Sequence, residues 1–254
     1  MRWIAACLIG GLLACNAAQA QPAPEHPAIE SAALEMLKAS SQKLASAKAL
    51  SFTAMTGYEA PARDGQPLFY TTLSQVALRR PDKLRVETPG DGPPSTLYYD
   101  GKTLMVYDPA TNLTAVANAP PTIDAAMAEA YDKAAIFFPF MELLVADPYK
   151  NISEGITTAY VVGQSHVVGN TITDIVVFAN ANVQAEIWIG IDDGLPRLIR
   201  AVYPKDPLHA RHEVVFSNWH LNQPMKDTDF QSDIALKAPR MPFARPDSAP
   251  SAKP

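Results

Sequence analysis

Cysteine is nearly missing from this chain. Its 254 residues hold two, Cys7 and Cys15, both near the amino end. No disulfide framework can therefore staple the remainder. Positive charge is not in excess either: 21 Lys and Arg stand against 26 Asp and Glu, a formal net charge of -5. A nucleic-acid surface needs a basic face, and this balance argues against one. No later stretch is long or apolar enough to cross a bilayer, which takes about 20 residues of helix. Also absent are Gly-x-Ser-x-Gly, His-Glu-x-x-His and the Gly-rich loops that hold nucleotides. With 48% apolar and 19% charged residues the chain is neither collagen-like nor wholly disordered. It is long enough for one large domain or two small ones with a sizeable core.

The amino end reads as an export signal. Arg2 supplies a positive charge, residues 3–14 form a short apolar run, and Ala18 and Ala20 make an Ala-x-Ala cleavage pattern. The expectation is a signal peptide at 1–20, removed after Ala20. Loss of those 20 residues, Arg2 among them, leaves 234 residues with a charge of -6 and no cysteine. A second reading of the same stretch stays open. Leu12-Leu13-Ala14-Cys15 resembles a lipobox, which makes Cys15 a lipidated first residue and the protein an anchored lipoprotein. Residues 21–27, with three prolines, read as a linker, and 28–236 as a single domain. Five prolines from Pro239 onward mark 237–254 as a disordered tail.

The domain begins with a helix. Ile29, Ala33, Met36, Leu37, Ser40, Leu44 and Ala47 recur on one helical face. Strand patterns follow at 51–58, 68–78, 83–88, 97–99, 103–107 and 112–116. Asp100-Gly101 predicts a type I′ hairpin. Thr122 can cap a helix whose Ile123, Met127, Ala130 and Tyr131 share a face, and an apolar segment at 136–141 leads into a short helix ending near Leu144. Strands resume at 158–168, 172–178, 183–191, 198–203 and 213–221, with turns at Gly169-Asn170 and Asp193-Gly194. Short connections imply antiparallel neighbours. The order is a helix, a five- or six-strand meander, a helical insert and a five-strand meander.

This order resembles the fold of the periplasmic lipoprotein carriers LolA and LolB. More closely, the chain resembles an uncharacterised family of periplasmic proteins with that fold. The resemblance rests on Arg80-Pro81-Asp82-Lys83-Leu84-Arg85-Val86-Glu87, Tyr98-Tyr99-Asp100-Gly101-Lys102-Thr103-Leu104, Tyr107-Asp108-Pro109, Asp147-Pro148-Tyr149, Ile187-Trp188-Ile189 and Ser217-Asn218-Trp219. It covers about residues 30–235. It implies an α+β fold, an antiparallel half-barrel of about 10–11 strands wrapped around a few helices, with an apolar cavity beneath a helical lid. It implies a periplasmic location and no assigned active site.

Several clusters invite a chemical reading. His209 and His212, with His220 downstream, form the nearest metal pattern. On a strand, residues three apart point to opposite faces, so no metal site is expected there. Asp192-Asp193 reads as a solvated turn rather than a cation site. The basic run from Arg79 to Arg85 reads either as a contact for an anionic headgroup or an acidic partner, or as the charged face of an edge strand. Ile136, Phe137, Phe138, Phe140 and Met141 crowd around Pro139. They either plug the half-barrel or line a cavity for an acyl chain.

The expected function is therefore non-enzymatic, without cofactor or metal. The protein carries or binds an apolar ligand, whether a lipid, an acyl chain or a lipoprotein. The ligand-facing residues are expected to be Leu84, Val86, Leu104, Val106, Ile187 and Ile189 from the strands, and Ile123, Met127, Phe137, Phe140 and Met141 from the lid. Two alternatives stay open: an envelope protein-interaction or sensor module that uses open sheet edges, and an unrecognised hydrolase.

Overall fold

A computed structural model describes residues 28–90, 94–206 and 208–245. The signal, lipobox and linker readings lie outside the described residues. Helix α1 spans Ser31–Ser46 and is followed by strands β1 (Ala49–Pro61), β2 (Pro67–Arg79), β3 (Lys83–Thr88), β4 (Ser95–Tyr99), β5 (Thr103–Asp108) and β6 (Leu113–Asn118). Helix α2 (Ile123–Ala134), a 3-10 turn at Met141–Leu143 and α3 (Pro148–Ser153) form the insert. Then come β7 (Thr158–Ser165), β8 (Thr173–Ala179), β9 (Gln184–Gly190), β10 (Pro196–Val202) and β11 (Arg211–Leu221), a 3-10 turn at Asp227–Phe230, α4 (Asp233–Lys237) and β12 (Arg240–Met241).

All twelve strands belong to one sheet, ordered β12-β6-β5-β4-β3-β2-β1-β11-β10-β9-β8-β7. Two meanders are thus joined where β1 pairs with β11. The sheet is antiparallel except at β12, which runs parallel to β6, and it is not closed into a barrel. Alternation along the strands sends one set of side chains inward. Leu50, Phe52, Val76, Leu84, Val86 and Leu104 meet Val176, Ile187, Val214 and Phe216 in one buried cluster, filled by Leu37 and Leu44 of α1 and by Ile123 and Ala126 of α2. Burying such a side chain contributes roughly 1.5–3 kcal/mol. Ile187 and Ile189 belong to this inner cluster, whereas Trp188 between them lies under the Arg200 guanidinium, 5.2 Å from its ring centroid.

The structure departs from the sequence expectations at several points. The Asp100-Gly101 hairpin forms, but not as a type I′ turn. Three residues separate β4 from β5, Gly101 alone has positive φ, and Asp100 Oδ1 accepts from the N–H of Lys102 and Thr103. That side-chain acceptor replaces the left-handed first residue of a type I′ loop. Helix α3 was not anticipated. Asp147 caps it by accepting from Lys150 N, with Pro148 in the first turn.

Strand β3 is not an edge, since it lies between β2 and β4. Nor do the run's basic groups form a free solvent face. Arg79 pairs with Asp227 and donates to Met225 O at 2.8 Å, Lys83 donates to Asp100 O at 2.7 Å, and Arg85 donates to Asp229 O at 3.3 Å. Arg79 and Arg85 fasten the C-terminal segment onto the sheet, and Lys83 ties β3 to the β4–β5 turn. Phe230 and Ala235 are fully buried there, outside the inner cluster.

The tail expected from residue 237 is structured through its first part. Pro239 O accepts from Thr114 N, and Arg240–Met241 pair with Thr114–Ala115 of β6. At the opposite edge Ala28 and Glu30 bond to Ala159 of β7. Segments from both ends of the described chain thus cover part of each margin of the sheet, at Thr114–Ala115 of β6 and at Ala159 of β7; open margins invite pairing with other chains.

Candidate ligand site

The insert is aimed by its local chemistry. Thr122 Oγ1 accepts from Ala125 N and starts α2. Ala135 ends it in the left-handed region at φ 55, with its N–H returned to the last turn. The chain then leaves the helix axis, and Pro139 prevents a new α-helix from forming at once. Arg80 fixes the far end. Its guanidinium reaches from the end of β2 to Leu144 O at 2.8 Å and Leu44 O at 3.5 Å, so one side chain ties the insert to the end of α1. Burial pulls this guanidinium below its usual pKa, and nearby Asp124 opposes the shift.

Between these anchors residues 136–141 pack against the inner cluster of the sheet. Phe140 is 1% exposed; its ring lies 5.6 Å from Phe52, edge to face, and 5.5 Å from Phe138, stacked. Phe137 points away and is 52% exposed, 6.4 Å from the Tyr131 ring. Between α2 and this segment runs a groove of about 510 Å³, lined by Met127, Ala128, Tyr131, Ile136, Phe137, Phe138, Met141 and Val145, with Asp124 and Glu142 at its margin. Desolvation pushes the Glu142 carboxyl up, and burial, reinforced by Glu142, pushes the Tyr203 hydroxyl up.

A chamber of about 330 Å³ shares Phe137 and Phe138 with the groove. Its walls are Thr56, Tyr58, Thr72, Ser74, Thr88 and His212, with the segment from Phe137 to Phe140 closing it. A third cavity of about 270 Å³ lies beyond Pro139 and Leu143, against Phe178, Ala185, Ile187, Ile199 and Tyr203. A fourth depression, of about 550 Å³, is charged, and its Arg200 is paired with Glu213 at 2.7 Å.

The residues singled out from sequence fall into separate places. Met127, Phe137 and Met141 line the groove, Phe137 and Phe140 the chamber, and Ile187 the third cavity. Leu84, Val86, Leu104, Ile123 and Ile189 are packed into the core, and Val106 packs against it; none of these six lines the cavities described above. Tyr131, expected on the buried face of α2, stands half exposed at the groove. Ala128, Ile136, Phe138 and Val145 join the lining without having been singled out as ligand-facing. Ile136 and Phe138 belonged to the crowded aromatic run, which was their signal.

The histidines do not converge. His209 is in the loop before β11, with φ 47, and is not on the strand as assumed. His212 and His220 share parity in sequence, but the β1–β11 register shifts between Thr53 and Ser51, where Asn218 has φ 55. That bulge reverses the alternation, leaving His212 half-buried and His220 exposed. Burial holds the His212 imidazole below its usual pKa, with Asp206 and Glu59 opposing. Among the described residues no three His, Asp or Glu side chains form a metal-sized cluster.

Residues 33–244 match the family described as predicted periplasmic proteins (DUF2092). The chain belongs to that family. No curated protein matches it. Solved structures are similar to it at low identity. A LolA superfamily protein from Nitrosomonas europaea is 8% identical with a TM-score of 0.42, over 79% of this chain and 98% of that one. LprF from Mycobacterium bovis is 12% identical with a TM-score of 0.46, over 78% and 96%. MucB of Pseudomonas aeruginosa, solved in complex with MucA, is 14% identical with a TM-score of 0.45. That match covers 81% of this chain and 62% of MucB, less than two thirds of its length. No helix among the described residues is long and apolar enough to cross a membrane.

Proposed function

We propose that this protein is a periplasmic binding or carrier protein for an amphiphile or acyl chain, held in the groove between α2 and residues 136–145. The observation that carries this reading is the groove itself. Eight of its ten lining residues are apolar or aromatic, and Phe137 stands half exposed beside it. Its volume lies within the several hundred Å³ typical of small-molecule sites. Met127 and Met141 offer adaptable walls suited to chains of varied length. Export with cleavage after Ala20, or anchoring through Cys15, places the groove in the envelope.

The reading is non-catalytic. Neither the groove nor the chamber lining joins a nucleophilic hydroxyl to a base and an orienting carboxylate in the manner of a hydrolytic triad. The alternative of a protein-interaction module keeps part of what it relied on. Most of the β7 edge beyond Ala159 is unpaired among the described residues, whereas the basic run is engaged internally. Native mass spectrometry of protein isolated from the envelope tests the proposal. Retained lipid or fatty-acid mass that disappears on delipidation supports it. Protein that never retains or takes up an acyl chain refutes it.

A further inference from the structure

Strand β2 outruns one of its neighbours. It pairs with β1 along its whole length, from Pro67 opposite Pro61 to Arg79 opposite Ala49, but with β3 only from Gln75 to Arg79. Strand β3 ends at Thr88, and Pro89 follows it. Along residues 67–74 every second residue of β2 therefore turns its N–H and C=O toward a lane that no strand among the described residues fills. Edges of this kind are ordinarily blunted by charge, proline or a bulge. The far margins of the sheet carry such devices. Arg240–Met241 pair with β6, Glu30 Oε2 accepts from Val161 N, and a register shift between Val161 and Gly163 bends β7. Residues 68–74 of β2 carry none of these. They include no charge and no proline, and their register with β1 is unbroken. Leu68, Phe69 and Tyr70 are all exposed. Their rings are nonetheless held in place. Phe69 lies over Gly57, where any Cβ would strike the ring, and Tyr70 stacks on Tyr58 at 5.6 Å. Pairing costs such side chains little further ordering.

We infer that residues 67–74 form an interface between two copies of this chain, antiparallel about a two-fold axis perpendicular to the sheet, so that the sheet continues from one copy into the other. Charge favours a second copy as the occupant. A charged partner finds no complement along this stretch, whereas the stretch is compatible with itself. Antiparallel pairing sets residues of one face opposite residues of the same face. The two-fold thus matches Leu68, Tyr70 and Thr72 among themselves, and Phe69, Thr71 and Leu73 among themselves. Each pair is aliphatic, aromatic or threonine, the combinations that stabilise cross-strand contacts, and none sets like charges opposite. The contact is small. Eight residues at about 3.4 Å each, with side chains about 10 Å deep, make a strip of roughly 27 by 10 Å. That falls well below the roughly 800 Å² per partner of a standard interface, so the dimer is reversible. Each copy offers this stretch once, so pairing closes at two.

Sedimentation velocity of the exported protein over roughly 1–500 μM, the range in which weak interfaces form, tests the inference. The wild type is expected to pass from monomer to dimer. Thr71→Lys and Thr71→Glu, near the middle of the stretch, each set like charges across the axis and should weaken dimerisation about tenfold or more. Mixed in equal amounts, the two variants should recover pairing, because opposite charges then meet. Phe69→Lys and Phe69→Glu, at an exposed side chain, serve in the same way if thermal midpoints show that the Thr71 variants do not fold. Val162→Lys, exposed on β7, is the control and should leave the equilibrium unchanged. None of these positions lines the groove, so the result bears on the interface alone. A monomer at every concentration, a dimer indifferent to both charges, a mixture that stays monomeric, or a loss produced by Val162→Lys overturns the inference.

Discussion

Phe137 and Phe140 lie three residues apart in the same apolar run and should respond in opposite ways to truncation. Phe140 is 1% exposed and makes edge and stacking contacts with Phe52 and Phe138. Its removal leaves a cavity in a close-packed cluster, and Phe→Ala changes at such sites cost about 3–5 kcal/mol. Phe137 is 52% exposed. Half a ring removed from water is worth about 1 kcal/mol, taking half of the usual 1.5–3 for a buried side chain. In a domain of this size each kcal/mol shifts the thermal midpoint by roughly 2–4 °C. Phe140→Ala should therefore lower the midpoint by about 6–20 °C, and Phe137→Ala by only a few degrees. Ligand binding reverses the order. Titration with an apolar fluorescent fatty-acid probe at a temperature where both variants are folded should show the larger loss of affinity in Phe137→Ala. If Phe137→Ala destabilises as much as Phe140→Ala, or binds the probe like wild type, the exposed ring is core filler and the groove loses its lip.

Three further outcomes follow from the same structure. Arg80→Ala removes charged donors to Leu144 O and Leu44 O and should cost roughly 2–3 kcal/mol, read as a fall in the urea midpoint. Deleting residues 239–254 uncovers the β6 edge and should bring concentration-dependent aggregation, followed by light scattering. The His212 pKa is depressed in the folded state, so the unfolded chain takes up its proton first as pH falls. The stability held by neutral His212 is thus intact above about pH 6.5 and is lost as pH drops below that value. The lowered carboxylates Asp206, Asp108 and Asp227 act only in more acidic solution. The drop in urea midpoint between pH 7.5 and 5.5 should therefore shrink in His212→Asn; an unchanged drop contradicts the assignment.

The two meanders were readable from the sequence because strand alternation is local. Leu84 and Val86 against Lys83 and Arg85 announce an inner and an outer face without reference to any partner. The α2 cap at Thr122 was readable for the same reason. What failed was information carried by distant contacts. The bulge at Asn218 reverses the face of His220, and its cue is a register against β1 some 165 residues earlier. The segment from residue 237 looked unstructured because its prolines suit a tail, yet Pro239, Arg240 and Met241 find places on the sheet. The groove was half visible. Its aromatic run was conspicuous, but its opposing wall of Tyr131, Ala128 and Val145 depends on how α2 lies over the insert, which no periodicity specifies.

Photo-crosslinking with a diazirine fatty acid, followed by peptide mapping, addresses the central claim most directly, because it reports where the chain lies as well as whether it binds. Adducts should concentrate between Met127 and Val145, the walls of the groove, and should be competed away by excess unlabelled fatty acid. Adducts confined to the charged depression around Arg200 and Glu213, or to exposed apolar residues such as Val162 and Val167 of the β7–β8 hairpin, would contradict the account.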